Sequence, residues 1–215
     1  FQQALQPLFL TSWLIDLHLR EIEFAGAERV SLTSASSKTA LALAWCLSAD
    51  RPVGVDIEAM TSERSKPFLE QTGFYDAITL YSEVDDLSPA PKRLLVDFAG
   101  DAGVNAAVHG ALGDALAGNI RVGAAHWEAS APARDLPGPK PVFFFAPDHA
   151  AKRIEAWGGA GFMQRYAEAW AGFSNAAHAL FETVEMPGGA GALDAYRQLL
   201  ANKAPASAAI SVEVA

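Results

Sequence analysis

The stretch Arg29-Val-Ser-Leu-Thr-Ser-Ala-Ser-Ser-Lys-Thr-Ala-Leu-Ala-Leu-Ala-Trp45 decides the fold. A β-branched and apolar run, Val30 to Thr33, enters a turn of small polar residues that opens directly into an alanine- and leucine-rich helix. A strand, a tight turn and a helix N-terminus in this order form a cradle for phosphate, because free backbone N–H groups point outward there and the helix dipole favours an anion. In dinucleotide-binding folds this turn normally carries glycines. The turn of this chain instead contains Ser34, Ser36, Ser37 and Lys38.

The amino-acid composition limits the classes of protein to which the chain can belong. The 215 residues suffice for one large domain, or for one domain and part of another, and 51% hydrophobic with 19% charged residues is typical of a folded chain. The net charge of −9 argues against a nucleic-acid surface. The single cysteine, Cys46, excludes an internal disulfide and a cysteine-cluster zinc site, and we expect it in the core. The sequence has no apolar run of membrane-spanning length and no signal peptide, so it predicts a cytoplasmic protein.

Apolar runs and helical patterns alternate along the chain up to Phe145. Strands are predicted at Arg29–Thr33, Val55–Met60, Ala77–Leu80, Leu94–Asp97, Ile120–Gly123 and Val142–Phe145. Helices are predicted at Leu8–Leu19, Ser36–Ser48, Arg64–Gln71 and Ala102–Leu112. This alternation predicts an α/β fold in which a doubly wound parallel sheet is covered on both faces. Asp56 and Glu58 alternate within the second strand and are predicted to mark a polar edge.

The pattern changes after Phe145. The later elements are predicted as a long helix over Asp148–Ala177 with a break at Gly158-Gly159, a strand at Ala179–Glu185, a helix at Leu193–Asn202 and a strand at Ala208–Val214. Four aromatic residues fall on one face of the long helix, at spacings of four, four and three: Phe162, Tyr166, Trp170 and Phe173. We interpret this face as a packing surface in the core, and its use in dimerisation is the alternative.

The turn and the segments around it resemble a known superfamily. Val30-Ser-Leu-Thr-Ser-Ala-Ser-Ser-Lys-Thr-Ala40 is similar to the strand, turn and helix of medium-chain dehydrogenase/reductases, in their quinone-oxidoreductase-like branch, where the turn typically reads Gly-Ala-Ser-Ser-Gly-Val-Gly. It resembles more closely an uncharacterised bacterial family within that superfamily, known only as a domain of unknown function. Further segments fit that group: Thr61-Ser-Glu-Arg64, Val96-Asp-Phe-Ala-Gly100, Val122-Gly-Ala-Ala-His-Trp-Glu128 and Pro139-Lys-Pro-Val-Phe-Phe-Phe-Ala146. The resemblance covers nearly the whole chain.

The resemblance implies a bipartite architecture. In that superfamily a GroES-like catalytic domain is split, with its larger part before the nucleotide domain and a short return segment after it. We therefore expect residues 1–28 to be a connecting helix from an absent N-terminal domain. Residues 29–178 are expected to form a Rossmann-type dinucleotide-binding domain, and residues 179–215 the return segment of the catalytic domain.

The resemblance places Ser34, Lys38 and Ala40 where the superfamily has glycines. Alanine suits the last position, whereas glycine at the other two permits positive φ and a close approach of the pyrophosphate. The Lys38 side chain either blocks the pyrophosphate or contacts it through its ammonium group. A capped helix with an outward lysine is the alternative to a phosphate site. The residues that we expect to contact the phosphates are Ser34, Ser36, Ser37, Lys38 and Thr39.

The residues at the tip of the second predicted strand indicate which of two cofactors, NAD or NADP, the chain would bind. A ribose with a free 2′-hydroxyl usually meets Asp or Glu at this point. This chain offers Ser62, Arg64 and Lys66 instead, with Glu63 as the exception. A hydroxyl and a guanidinium suit a 2′-phosphate, so we predict NADP rather than NAD. The alternative is a surface helix that is capped by Thr61 or Ser62.

The nicotinamide half of the site is predicted at the ends of the fourth and fifth strands. Ligands in such folds lie beyond the carboxyl ends of the strands, so Gly100 and Gly123 are expected to line it. His126 is a candidate proton donor because its pKa lies near neutrality; a structural histidine is the alternative. The resemblance also implies that the backbone around Phe144 faces the nicotinamide amide. The chain has no Tyr-x-x-x-Lys or Gly-x-Ser-x-Gly motif and no histidines at metal-ligand spacing, so no metal is expected.

With the resemblance, these residues predict a zinc-independent, NADPH-dependent oxidoreductase that transfers hydride to a quinone, an enone or another activated carbonyl. Two alternatives stay open. One is a non-catalytic nucleotide-binding or sensor protein with a degenerate phosphate turn, and the other is an interaction module without a ligand. The expected partner is a small-molecule substrate, a homodimer is left open, and neither nucleic acid nor membrane is expected.

Overall fold

A computed structural model of the chain describes residues 2–122, 136–201 and 203–212. The strands are β1 (Arg29–Leu32), β2 (Asp56–Thr61), β3 (Ala77–Leu80), β4 (Arg93–Asp97), β5 (Leu116–Arg121), β6 (Val142–Phe143), β7 (Glu182–Glu185) and β8 (Ala208–Ser211). The α-helices are α1 (Gln2–Glu21), α2 (Lys38–Ala49), α3 (Lys66–Thr72), α4 (Ala102–Leu112), α5 (Ala146–Leu180) and α6 (Gly188–Leu200). Short 3₁₀ turns occupy Glu23–Gly26, Tyr81–Asp86 and Gly113–Ala115.

Six strands form one parallel sheet in the order β3-β2-β1-β4-β5-β6. β1 pairs with β2 on one side and with β4 on the other, so Leu32 lies beside both Ala59 and Val96. The chain winds outward from β1 to β3 and then crosses back to β4. This reversal opens a crevice at the carboxyl ends of β1 and β4, where doubly wound folds bind their ligands. The predicted Rossmann-type sheet is confirmed.

The observed elements differ from the predicted ones mainly at their ends. β3 and α4 have the predicted bounds, whereas β5 begins at Leu116 rather than Ile120. β6 is shorter than predicted and ends at Phe143, since only two of its residues pair with β5. The predicted break in the long helix is confirmed, because Gly158 has a φ of 71° inside α5.

The three helices α1, α2 and α5 pack on one face of the sheet around an aromatic cluster. Phe9 of α1 is fully buried, and its ring centroid lies 4.8 Å from that of Phe173 and 5.5 Å from that of Trp170. Trp13, one turn further along α1, makes an edge-on ring contact with Phe162, like that of Phe9 with Trp170. The predicted aromatic face of the long helix therefore packs inside the molecule, which confirms the core interpretation.

A smaller core lies on the opposite face, under α4 and the Tyr81–Asp86 turn. Its buried members are Met60, Val84, Leu95, Val108, Leu112 and Leu116. After α5 the chain forms a second sheet, in which β7 and β8 pair in parallel and α6 connects them. Phe181, between α5 and β7, is buried against the larger core. The division of the chain into three domains stays a prediction.

A carboxylate is buried inside the main sheet. Glu58 of β2 is 1% exposed and accepts hydrogen bonds from Ser31, Thr79 and Arg93. Burial raises the pKa of this carboxyl, but the hydrogen bonds from Ser31 and Arg93 and the charge of Arg93 outweigh burial, so the pKa lies below its usual 4.5. The predicted polar edge is wrong for Glu58, because β2 lies between β3 and β1 and its side chain is enclosed by both neighbours.

The aromatic cluster yields a first prediction. We expect Phe9→Ala to lower the free energy of unfolding by about 3–5 kcal/mol, because the neighbouring rings cannot close the cavity. Urea denaturation followed by tryptophan fluorescence measures this change. Met163→Ala, at an exposed position of α5, should change the value by less than about 0.5 kcal/mol. A loss below about 1 kcal/mol in Phe9→Ala would contradict the central position of this ring.

The buried carboxylate yields a second prediction. We expect Glu58→Gln to cost about 3 kcal/mol of stability at pH 7, because it leaves Arg93 buried without a counter-charge. The folded-state pKa of Glu58 is depressed, so its stabilisation is complete above about pH 4.5 and is lost as the pH falls through the folded pKa. Denaturation curves between pH 3 and pH 7 should therefore converge for the two proteins at the acid end. Asp56→Asn, at the exposed start of the same strand, is the control and should cost less than about 1 kcal/mol.

Candidate functional site

The turn after β1 has a glycine-like backbone without containing a glycine. Ser34 has a φ of 49°, in the left-handed region that glycine favours. Its N–H donates to the Tyr81 hydroxyl over 2.7 Å, and its carbonyl accepts from the N–H of Ser37 over 2.8 Å. The conformation expected of the family's glycine is thus adopted by a serine and held by hydrogen bonds on both sides.

Part of this turn has unpaired backbone donors. The side chain of Ser37 caps α2 by accepting from the N–H of Ala40 over 3.2 Å. Within the described ranges, three further N–H groups of the turn have no acceptor: those of Ser36, Lys38 and Thr39. They lie at the positive end of the α2 dipole, where an anion is favoured.

Lys38 places a cation beside these donors. Its side chain is half-buried, and its Nζ lies 5.3 Å from the ring centroid of Phe181. Burial lowers the pKa of this ammonium group below its usual 10.5. No carboxylate among the described residues pairs with it. A partly desolvated cation and three unpaired N–H groups therefore meet at one turn.

The tip of β2 brings the predicted ribose-site residues together with the C-terminal part of the chain. Ser62 and Arg64 are exposed and Lys66 is half-exposed. The guanidinium of Arg64 donates to the backbone carbonyl of Lys203 over 2.8 Å. The alternative of a helix capped by Thr61 or Ser62 is wrong, since α3 begins only at Lys66 and Ser65 precedes it without a side-chain capping bond.

Lys203 was missed by sequence reasoning, because nothing in the sequence places a residue near the C-terminus beside Arg64. Its side chain is exposed, and its backbone lies at the tip of β2. A second lysine, Lys66, begins α3 in the same region. The structure thus places the backbone of a residue near the C-terminus beside Arg64.

The crevice between β1 and β4 is closed at its base by a buried hydrogen bond. The hydroxyl of Thr33 donates to Oδ1 of Asp97 over 2.7 Å. The same oxygen accepts from the N–H groups of Ala99 and Gly100. Gly100 has a φ of 63°, so this turn uses the freedom of glycine. Sequence reasoning overlooked Thr33 and Asp97, although a polar residue at the end of each apolar strand was visible.

A chain of polar side chains continues from Asp97 behind the crevice. Oδ2 of Asp97 accepts from Asn105, whose Oδ1 accepts from Asn119 over 2.9 Å. Nε2 of His109 lies 2.8 Å from Nδ2 of Asn119, and its Nδ1 lies 2.8 Å from the carbonyl oxygen of Pro137. Both contacts are satisfied by a neutral imidazole that carries its proton on Nδ1. This series of hydrogen-bonded side chains links β4, α4 and β5 to the residues that lead into β6.

Of the remaining predicted residues, Phe144 and Gly100 lie within the described part of the chain, whereas Gly123 and His126 do not. Phe144 lies at the carboxyl end of β6, where its N–H donates to the carbonyl of Arg121 and its buried ring stacks on His149 with centroids 4.0 Å apart. Gly123 and His126 lie outside the described residues. Gly100 is at the end of β4, beside the crevice. The roles of all the predicted site residues stay predictions.

Among the described residues, no three of His, Cys, Asp and Glu come together as a metal site. No helix in the described ranges is both long and apolar enough to cross a membrane.

Comparison with solved structures defines the class of fold. A candidate NADPH:quinone reductase of Mesorhizobium loti matches with a TM-score of 0.65 and 12% identity, over 96% of this chain and 58% of its own. CurA of Vibrio vulnificus, solved with NADPH, matches with a TM-score of 0.61 and 12% identity, over 96% of this chain and 62% of its own. The quinone oxidoreductase of Thermus thermophilus, which was also solved with NADPH, matches with a TM-score of 0.52 and 18% identity, over 90% of this chain and 59% of its own. The chain therefore shares the Rossmann-type fold of these three proteins and spans about three fifths of their length.

The chain belongs to the family described as "Protein of unknown function (DUF2855)", whose model matches residues 1–205. The predicted resemblance to a family known only as a domain of unknown function is thereby confirmed. No curated protein matches the chain.

The Asp97 hydrogen bonds yield a third prediction. We expect Asp97→Asn to lower the free energy of unfolding by about 2–3 kcal/mol, because an amide nitrogen at Oδ2 would face the donor group of Asn105. Chemical denaturation measures the loss. Asp101→Asn in the same turn is a matched control, since asparagine caps α4 about as well as aspartate and should change stability by only a few tenths of a kcal/mol. Equal stability of both variants would contradict the structural role of Asp97.

Proposed function

We propose that the chain forms the cofactor-binding part of an NADPH-dependent, zinc-independent reductase, and that its β1 turn binds the pyrophosphate. One observation carries this proposal: a half-buried lysine without a described carboxylate partner lies at the same turn as three unpaired N–H groups. All of these residues are partly exposed, so the groups are accessible to an anion that could accept from the N–H groups and pair with the ammonium group. A diphosphate supplies the charge and the acceptor oxygens that this arrangement requires.

The 2′-phosphate of the cofactor is assigned to the tip of β2. Arg64 and Lys66 supply positive charge there, and Ser62 supplies a hydroxyl. The backbone carbonyl of Lys203 orients the guanidinium of Arg64 through a hydrogen bond of 2.8 Å. The side chain of Lys203 is exposed, and we assign it as a third cation for this phosphate. This charge favours NADPH over NADH, because only NADPH carries a phosphate at this ribose.

The nicotinamide is assigned to the carboxyl ends of β4 and β6, where Gly100 and Phe144 lie, with Gly123 as a further lining residue and His126 as the proton donor. Asp97 and Thr33 hold the Gly100 turn in place, so they are positioning residues. When bound, NADPH supplies the hydride, and the protein supplies orientation. Quinones, enones and other activated carbonyls are the proposed acceptors, in keeping with the reductases that share the fold. Residues 1–28, 29–178 and 179–215 are proposed as connecting helix, cofactor domain and return segment.

The cofactor site yields a fourth prediction. In fluorescence titrations of the full chain with NADPH and NADH, we expect saturable binding with a preference for NADPH. Lys38→Met should weaken both cofactors about 10- to 100-fold, because it removes a charge-assisted contact to the shared pyrophosphate. Arg64→Met should weaken NADPH by a similar factor and leave NADH nearly unchanged, since it contacts only the 2′-phosphate. Lys92→Met, at the exposed amino end of the sheet, is the control and should change neither affinity.

The outcomes of this titration separate the candidate functions. Absence of saturable binding by the full chain would overturn the proposal and leave the interaction module. Equal affinities for the two cofactors, unaffected by Arg64→Met, would overturn the 2′-phosphate assignment alone. Binding without oxidation of NADPH in the presence of quinones or enals would identify a sensor rather than a reductase.

A further inference from the structure

A cavity of about 400 Å³ lies on the α1 face of the main sheet, between α1, the start of α5 and strands β4 to β6. Its walls are largely apolar and include Ile22, Leu94, Ile120 and Val142. The polar part of the lining consists of His18 of α1, His149 of α5, the exposed Lys140, and Asn119, whose Nδ2 already hydrogen-bonds to Asn105 and His109. The volume is in the range of pockets that hold small organic molecules.

Most of the cavity lies away from the proposed cofactor site, although Phe144, which is assigned to the nicotinamide, also lines the cavity. It contacts the amino half of β5, from Ala117 onward, and the residues that precede β6, such as Pro139. On the α1 side it is bounded by Ile22 and by Ala25, both of which precede the amino end of β1. The phosphate turn and the Gly100 turn are at the opposite, carboxyl edge of the sheet. A molecule in this cavity would therefore lie beside the proposed nicotinamide position, with Phe144 common to both.

The two imidazoles are positioned by aromatic contacts rather than by hydrogen bonds. His149 stacks on the ring of Phe144 with centroids 4.0 Å apart, and His18 meets His149 edge-on at 4.6 Å. Neither ring hydrogen-bonds to another group within residues 2–122, 136–201 and 203–212. Burial lowers the pKa of both histidines below the usual 6.5, and the cations Lys152 and Arg153 lower them further.

These groups define the chemistry of a ligand. A neutral imidazole has one N–H donor and one nitrogen acceptor, so the pair accommodates a hydroxyl group that both donates and accepts. Phe144 and His149 present stacked rings, which favour an aromatic body over a flexible chain. Most of the lining is apolar, and Lys140 is itself exposed to solvent, so an uncharged molecule is favoured. We propose that this cavity binds a small, neutral aromatic compound bearing a hydroxyl group, which His18 and His149 hydrogen-bond.

Isothermal titration of the full chain with 2-naphthol tests the proposal. We expect one saturable site with a dissociation constant on the order of 100 µM, which is reasonable for a ligand of this size. 2-Methoxynaphthalene, which has lost the donor, should bind about tenfold more weakly. His149→Phe keeps the stacking on Phe144 and should weaken 2-naphthol about tenfold while leaving 2-methoxynaphthalene nearly unchanged.

A matched pair of variants tests the location. Ile22→Trp fills the cavity and should abolish binding, whereas Ile154→Trp, at an exposed position of α5 outside the cavity, should leave it unchanged. Circular dichroism melts establish that both variants fold. Absence of saturable 2-naphthol binding, or binding that survives Ile22→Trp, would overturn the proposal. A dimer in sedimentation velocity that Ile22→Trp dissociates, together with absent naphthol binding, would overturn it in favour of a second copy covering the cavity.

Discussion

The carboxylate of Asp97 holds together the part of the molecule where the sheet reverses its winding. Through four hydrogen bonds it connects β1 to β4, fixes the turn that ends at Gly100 and anchors Asn105 of α4. From Asn105 the contacts continue to Asn119 of β5. A buried carboxylate is stable only when its acceptor positions are filled, and the geometry of the crevice satisfies that condition. The positions of the phosphate turn and of the Gly100 turn therefore depend on each other.

The main sheet was predictable because its strands are apolar runs separated by helices. The stretch from Val30 to Thr33 is buried on both faces, which identifies a central parallel strand without further information. Glu58 shows the limit of this reasoning. Its partners Ser31, Thr79 and Arg93 lie on three other strands, so only the assembled sheet reveals that a charge in β2 is enclosed. Periodicity describes one element at a time and carries no information on such cross-strand partners.

One part of the candidate site could likewise be predicted from the sequence, and another part could not. The turn after β1 could be located from local sequence, since a strand, small polar residues and a helix follow one another without a break. The hydroxyl of Tyr81 and the backbone of Lys203 could not be located, because each reaches the site from a distant part of the chain. The C-terminal elements show a related limit: α6 begins at Gly188, before the predicted start at Leu193, because glycines near a helix start conceal its onset.

The backbone of Ser34 has a consequence for how the turn meets an anion. A glycine would explore many conformations in the free protein, and binding would have to restrict them. Serine disfavours a positive φ, so the hydrogen bonds of Ser34 with the Tyr81 hydroxyl and with the N–H of Ser37 hold the turn in its one observed conformation. The turn is therefore preorganised: little conformational entropy remains to be lost when its donors are engaged, at the expense of the adaptability that glycine provides.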